Sequence, residues 1–118
     1  MTFEILEERD SIIAMALHGR LSGMDVAPPA DPMRHHIGAD CYSRRLLLDF
    51  SDVPYLDSMG VSWLITCNRR FRDGGGRLVL HSMHPAAMSI IRVLKLESIL
   101  TIAPNADSAL KAAIEEDC

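Results

Sequence analysis

A serine hydroxyl does chemistry only where the chain presents it, and Ser58 lies in the stretch best suited to that. Asp57, Ser58, Met59 and Gly60 stand between an apolar run, Leu46, Leu47, Leu48 and Phe50, and a segment where Val61, Leu64, Ile65 and Phe71 recur at helical spacing. This order predicts a buried strand that delivers the serine to the start of a helix. A hydroxyl there has two uses. It can cap the helix by accepting a hydrogen bond from a first-turn amide, worth about 1 kcal/mol. It can also accept a phosphoryl group, adding a charge of about -1.5 to -2 at neutral pH, which the amides and dipole of a helix start tolerate. A third use, as a catalytic nucleophile, is disfavoured: the context is not G-x-S-x-G, and no histidine is placed beside it by the sequence. The chain therefore does not read as an enzyme.

Other reactive residue types are present without a reactive pattern. His35, His36 and Cys41 in one segment, and His81 and His84 in another, lack a recognised structural-zinc spacing, so no metal is expected. Gly74, Gly75 and Gly76 lack the Lys-Ser/Thr of a phosphate-binding loop and read as a helix stop. No cofactor is implied. Arg69, Arg70 and Arg72 read as a solvated helix face, and a net charge of -4 argues against a nucleic-acid partner. Cys41, Cys67 and Cys118 are odd in number and suit a reducing compartment. No apolar run approaches a membrane span, and the acidic start of the chain lacks a signal-peptide pattern, so a soluble cytoplasmic protein is expected.

The elements that must position Ser58 follow from pattern. A chain of 118 residues is expected to form one domain over residues 1–118. Residues 3–7 and 12–17 read as a hairpin about a polar turn at Glu8, Arg9 and Asp10, with Gly19 ending the second strand. Residues 22–43 are irregular, with Pro28, Pro29 and Pro32 close together. A helix is expected there only from Pro32, after Asp31 as cap, to about Cys41, weakened by Gly38. Residues 51–57 form a loop, and after the glycines come a strand at 77–81 and a helix at 85–94 with Met88, Ile91 and Leu94 on one face. A last strand is expected at 96–102, then a helix capped by Asn105 or Asp107 and ending near Glu116. Strands alternating with helices after an initial hairpin give an α/β fold with a mixed, mostly parallel sheet and about four packed helices.

The motif Asp57, Ser58, Met59, Gly60 resembles the phosphorylation signature of STAS domains of the anti-sigma factor antagonist type. The resemblance continues through Gly74 to Leu80, then Pro85, Ala86, Ile90, Leu94, Leu96 and Ile99, to Ala106, Ala109 and Leu110, and more weakly to the hairpin ending in Gly19 and Leu21. It implies the STAS fold and a partner switch. Unphosphorylated, such a protein binds an anti-sigma factor with serine kinase activity. Phosphorylation at Ser58 by that kinase, which uses ATP and magnesium, releases it, and a phosphatase resets it. Two departures stand out. Gly19, Arg20, Leu21, Ser22 replace the family's Gly-x-Leu-Asp, so the acidic residue expected near the phosphorylation site is missing and Arg20 or Asp25 sets the local field; and the region that in the family forms a full first helix, which helps shape the partner-binding face, is proline-rich here. In addition, Met59 replaces a small residue. The resemblance also admits a non-switching accessory subunit docked on a cytoplasmic transport ATPase, or a small-ligand sensor with a pocket beneath residues 22–43. Met59 and Trp63, four apart on the helix, are the expected partner contacts, with Trp63 on a flank either as an interface anchor or packed against the neighbouring helix or residues 22–43.

Overall fold

The computed structural model describes residues 2–9, 11–21 and 32–114. Strand β1 (Thr2–Arg9) turns back into β2 (Ile12–His18), and the two pair antiparallel with a register shift between Ile5 and Glu7. Helix α1 (Pro32–Ile37) and a 3-10 turn (Cys41–Ser43) lead to β3 (Arg45–Asp52). Then follow α2 (Ser58–Asp73), β4 (Arg77–His81), α3 (Pro85–Val93), β5 (Ile102–Ala103) and α4 (Ala106–Ile114). The sheet order is β1-β2-β3-β4-β5, parallel from β2 onward. Among the described residues this is the mixed, mostly parallel sheet with four helices that the alternation predicts.

Period-2 alternation divides the strands between two layers. Leu46, Leu48, Phe50, Leu78 and Leu80 share one core with Val61, Leu64 and Phe71 of α2, Ile91 of α3 and Met33 of α1. Leu47 and Val79 point the other way and meet Ala103, Ala109 and Ala113, small residues that let α4 lie close on the sheet. Burial on both faces explains the continuous apolar run in β3. Each fully buried Leu or Phe there contributes about 1.5–3 kcal/mol. Among the described residues no helix is long and apolar enough to cross a membrane.

Several boundaries differ from expectation, each for a local reason. Glu8 and Arg9 belong to β1, paired with Ile13 and Ile12, rather than to the turn. Ser51 extends β3 instead of opening the loop. The helix from Pro32 stops at Ile37 because Gly38 adopts φ 124°, a conformation that ends a helix and that only glycine enters readily. The strand expected at 96–102 shrinks to β5. Leu96 and Leu100 are buried at turn spacing, and the Leu96 carbonyl accepts from the amides of Ile99 and Leu100. Leu94 closes α3 in an exposed position rather than joining Ile91 in the core. Asn105 caps α4 as expected, its Oδ1 accepting from the Ser108 amide at 2.9 Å. Asp25, Pro28, Pro29, Asp31, Glu116 and Cys118 lie outside the described residues.

Candidate functional site

Asp57, in extended conformation (φ -96°, ψ 178°), is the N-cap of α2: its carboxylate accepts from the Gly60 amide at 2.7 Å, and its carbonyl accepts from Val61 at 3.0 Å. Ser58 is the first helical residue and exposed. The capping role that the sequence offered to Ser58 thus belongs to the preceding aspartate. Among the described residues the Ser58 hydroxyl has no hydrogen-bond partner, so nothing structural occupies it.

The platform beneath it is anchored from both sides. In the loop of residues 53–57, Val53 and Leu56 are buried while Pro54 and Tyr55 are exposed, so two apolar anchors pin the chain. The exit of β2 laces onto the same loop: Leu21 donates to the Tyr55 carbonyl at 3.0 Å, and Asp57 donates to the Leu21 carbonyl at 3.2 Å. Leu21 and Leu56 form a parallel bridge. Gly60 lies directly against this strap, where a Cβ would stand 2.5 Å from the Leu21 carbonyl oxygen. That close approach explains a glycine two residues after the serine.

Around Ser58 the surface carries Met59, about half exposed, and Tyr55, 40% exposed. The Arg20 guanidinium sits 4.6 Å from the centre of the Tyr55 ring, a cation–π contact. Sequence reasoning singled out Arg20 but missed Tyr55. The available signal was an aromatic residue in the loop that leads into the motif. Trp63 corrects the expectation of a surface flank: it is 9% exposed, belongs to the main core, and meets Phe3 of β1 edge-on at 6.1 Å. Of the two residues expected to contact a partner, the structure leaves Met59 at the surface beside Ser58.

The described histidines are engaged elsewhere. His18 bridges Asp52 (Nδ1, 2.8 Å) and Glu4 (Nε2, 2.7 Å), and hydrogen bonds to these carboxylates raise its pKa. His81 is buried against Ser82, its Nδ1 2.9 Å from the serine oxygen, and burial lowers its pKa. His84 accepts from the Ala86 amide, and His36 stacks on Phe3 and against His35. Among the described residues no group of three or more His, Cys, Asp or Glu could hold a metal. Arg69, Arg70 and Arg72 are exposed on the far end of α2, and Cys41 and Cys67 are buried thiols.

Known structures share this fold. The Thermotoga maritima protein TM1081 superposes with TM-score 0.79 at 16% identity, covering 97% of this chain and 94% of its own. An anti-sigma factor antagonist from Mycobacterium paratuberculosis gives 0.71 at 22% identity, covering 97% and 96%. The Bacillus cell fate determinant SpoIIAA in its phosphorylated form gives 0.63 at 18% identity, covering 94% and 98%. At these identities the likeness is one of fold. The model of the STAS domain, however, matches residues 4–109, from β1 into the last helix and across the serine-bearing loop, and the chain belongs to the STAS domain family.

Proposed function

We propose that this protein is an anti-sigma factor antagonist or a related partner-switching regulator of the cytoplasm, with Ser58 as its switch. The observation that carries this reading is the separation of roles at the start of α2: Asp57 caps the helix and Ser58 is left exposed and unengaged. The fold is shared with an anti-sigma factor antagonist and with SpoIIAA, a protein solved in a phosphorylated form.

The partner is an anti-sigma factor with serine kinase activity, met in part through Met59. On the complex the Ser58 Oγ attacks the γ-phosphorus of ATP and forms the new P–O bond. The bond to the β,γ-bridging oxygen breaks, ADP leaves, and the serine proton passes to a base of the kinase. A phosphatase restores the hydroxyl by transferring the phosphoryl group to water, giving inorganic phosphate. The helix start tolerates the dianion, so the fold persists. The interface does not, because covering the site would desolvate the phosphate beside the Asp57 carboxylate. A penalty of a few kcal/mol suffices, since each ~1.4 kcal/mol is tenfold in affinity.

The test is affinity capture from native cells by wild type, Ser58→Ala and Ser58→Asp proteins, with mass spectrometry of bound proteins and of Ser58. The expected result is a kinase-type anti-sigma factor retained by wild type and Ser58→Ala and lost by Ser58→Asp. Equal retention by both variants rejects the switch.

A further inference from the structure

We infer that Arg20 is the internal counter-cation of a phosphate on Ser58, and that phosphorylation moves its guanidinium from the Tyr55 ring to the phosphate, baring Tyr55. The inference rests on Ser58 being modified and adds the residue that reads the modification inside the chain.

Three observations carry it. First, the strap described above fixes where Arg20 starts. The backbone of Leu21, its neighbour, is bonded to both Tyr55 and Asp57 and bridged to Leu56, so Arg20 emerges beside the loop that ends at Ser58. Second, the guanidinium rests on the face of Tyr55, three residues before the serine, and both side chains are solvent-exposed. An exposed cation–π contact is weak and readily exchanged. Third, the local charge demands a cation. A phosphate on Ser58 adjoins the Asp57 carboxylate, which is held in place by the Gly60 amide, and Asp52 and Glu4 are occupied by His18. His18 is therefore committed to those carboxylates.

A guanidinium–phosphate pair is charge-assisted and bidentate, stronger than a solvated ring contact, so the arginine changes partner when the dianion forms. The chain then has two surfaces at this site. In one, Arg20 covers Tyr55 and the serine is neutral. In the other, Arg20 is withdrawn to the phosphate and the tyrosine ring faces solvent. Modification thus alters the surface at Tyr55 as well as at Ser58.

The experiment uses the full chain with phosphoserine incorporated at position 58 during synthesis, so that no kinase is required. A phosphorus NMR titration of this protein is compared with Arg20→Ala and Arg20→Lys versions, and the Arg20 δ protons are followed with and without the phosphate. The expected result is a phosphate protonation equilibrium shifted about threefold or more toward the dianion in the Arg20 protein relative to Arg20→Ala, with Arg20→Lys between them. The Arg20 δ protons should lose their ring-current shift on phosphorylation. Equal titrations in the Arg20 and Arg20→Ala proteins, with the δ protons still shifted, overturn the inference. The switch itself is read separately: a phosphorylated protein that still holds its partner rejects the proposed function and leaves the Arg20 result standing.

Discussion

Helices α2 and α3 begin in the same way and are built for different purposes. Each follows one of two neighbouring parallel strands, at the same end of the sheet, and in each the cap residue's carbonyl accepts the first helical hydrogen bond, Asp57 from Val61 and His84 from Met88. At the first helical position α2 has Ser58 and α3 has Pro85. At the third, α2 has Gly60, pressed against Leu21, and α3 has the buried Ala87. Proline at a helix start is a purely structural choice, since its missing amide is one the helix cannot use and its φ is already helical. Serine in that position, with the cap already supplied, adds nothing to the helix. The difference separates a start optimised for folding from one that keeps a hydroxyl available.

Substitutions at matched positions can break or sharpen this contrast. The largest effect is expected at the third position: Gly60→Ala should lower stability by about 1–3 kcal/mol, because the new methyl group must displace the Leu21 backbone. Ala87→Gly should cost less, about 0.5–1 kcal/mol of backbone entropy plus a lost methyl contact. Urea denaturation of the two variants measures both, and a Gly60→Ala protein as stable as wild type would mean that the strap yields.

The caps come next. Asp57→Ala should cost about 1 kcal/mol, whereas Ser58→Ala should stay within about 0.5 kcal/mol of wild type. If thermal unfolding showed the reverse, Ser58 would be the structural residue and the separation of roles would fail.

The smallest effect is one of pH, where the strand ends leading to these two regions differ in sign. His18, which ties the end of β3 through Asp52, has its pKa raised by hydrogen bonds to Asp52 and Glu4. Its contribution is fully present below the unfolded value near 6.5 and fades as pH rises through the higher folded value. His81, at the end of β4, has its pKa lowered by burial, so the folded state favours the neutral ring and stability is lost as pH falls below about 6.5 toward the lower folded value. Stability measured between pH 5 and 8 for His18→Gln and His81→Gln should depart from wild type with opposite slopes.

Much of this molecule was legible in the sequence, and the gaps have a common cause. Strand β4 runs over the residues its pattern indicated, and the apolar run before Ser58 is the doubly covered strand it resembled. Local signals sufficed there because every residue of the run is buried by one layer or the other. The position of Trp63 was not legible: helical spacing gives its angle on α2 but not that Phe3, sixty residues earlier, closes over it. The segment after α3 misled for a related reason, since Leu96, Ile99 and Leu100 suit a strand by composition but are held as a turn by bonds to one carbonyl. At the site, the motif indicated that a hydroxyl meets a helix start. Which of two adjacent side chains caps the helix depends on backbone angles that a spacing rule does not contain.

The strand order carries a consequence for how the chain acquires its structure. Among the described residues every strand pairs only with those immediately before and after it in sequence, so each newly formed strand finds its partner already made. Loop-closure costs are met one crossover at a time, which suits sequential assembly during synthesis. For the partner-switching role proposed above, this order lets the surface around Ser58 be complete soon after the chain is made.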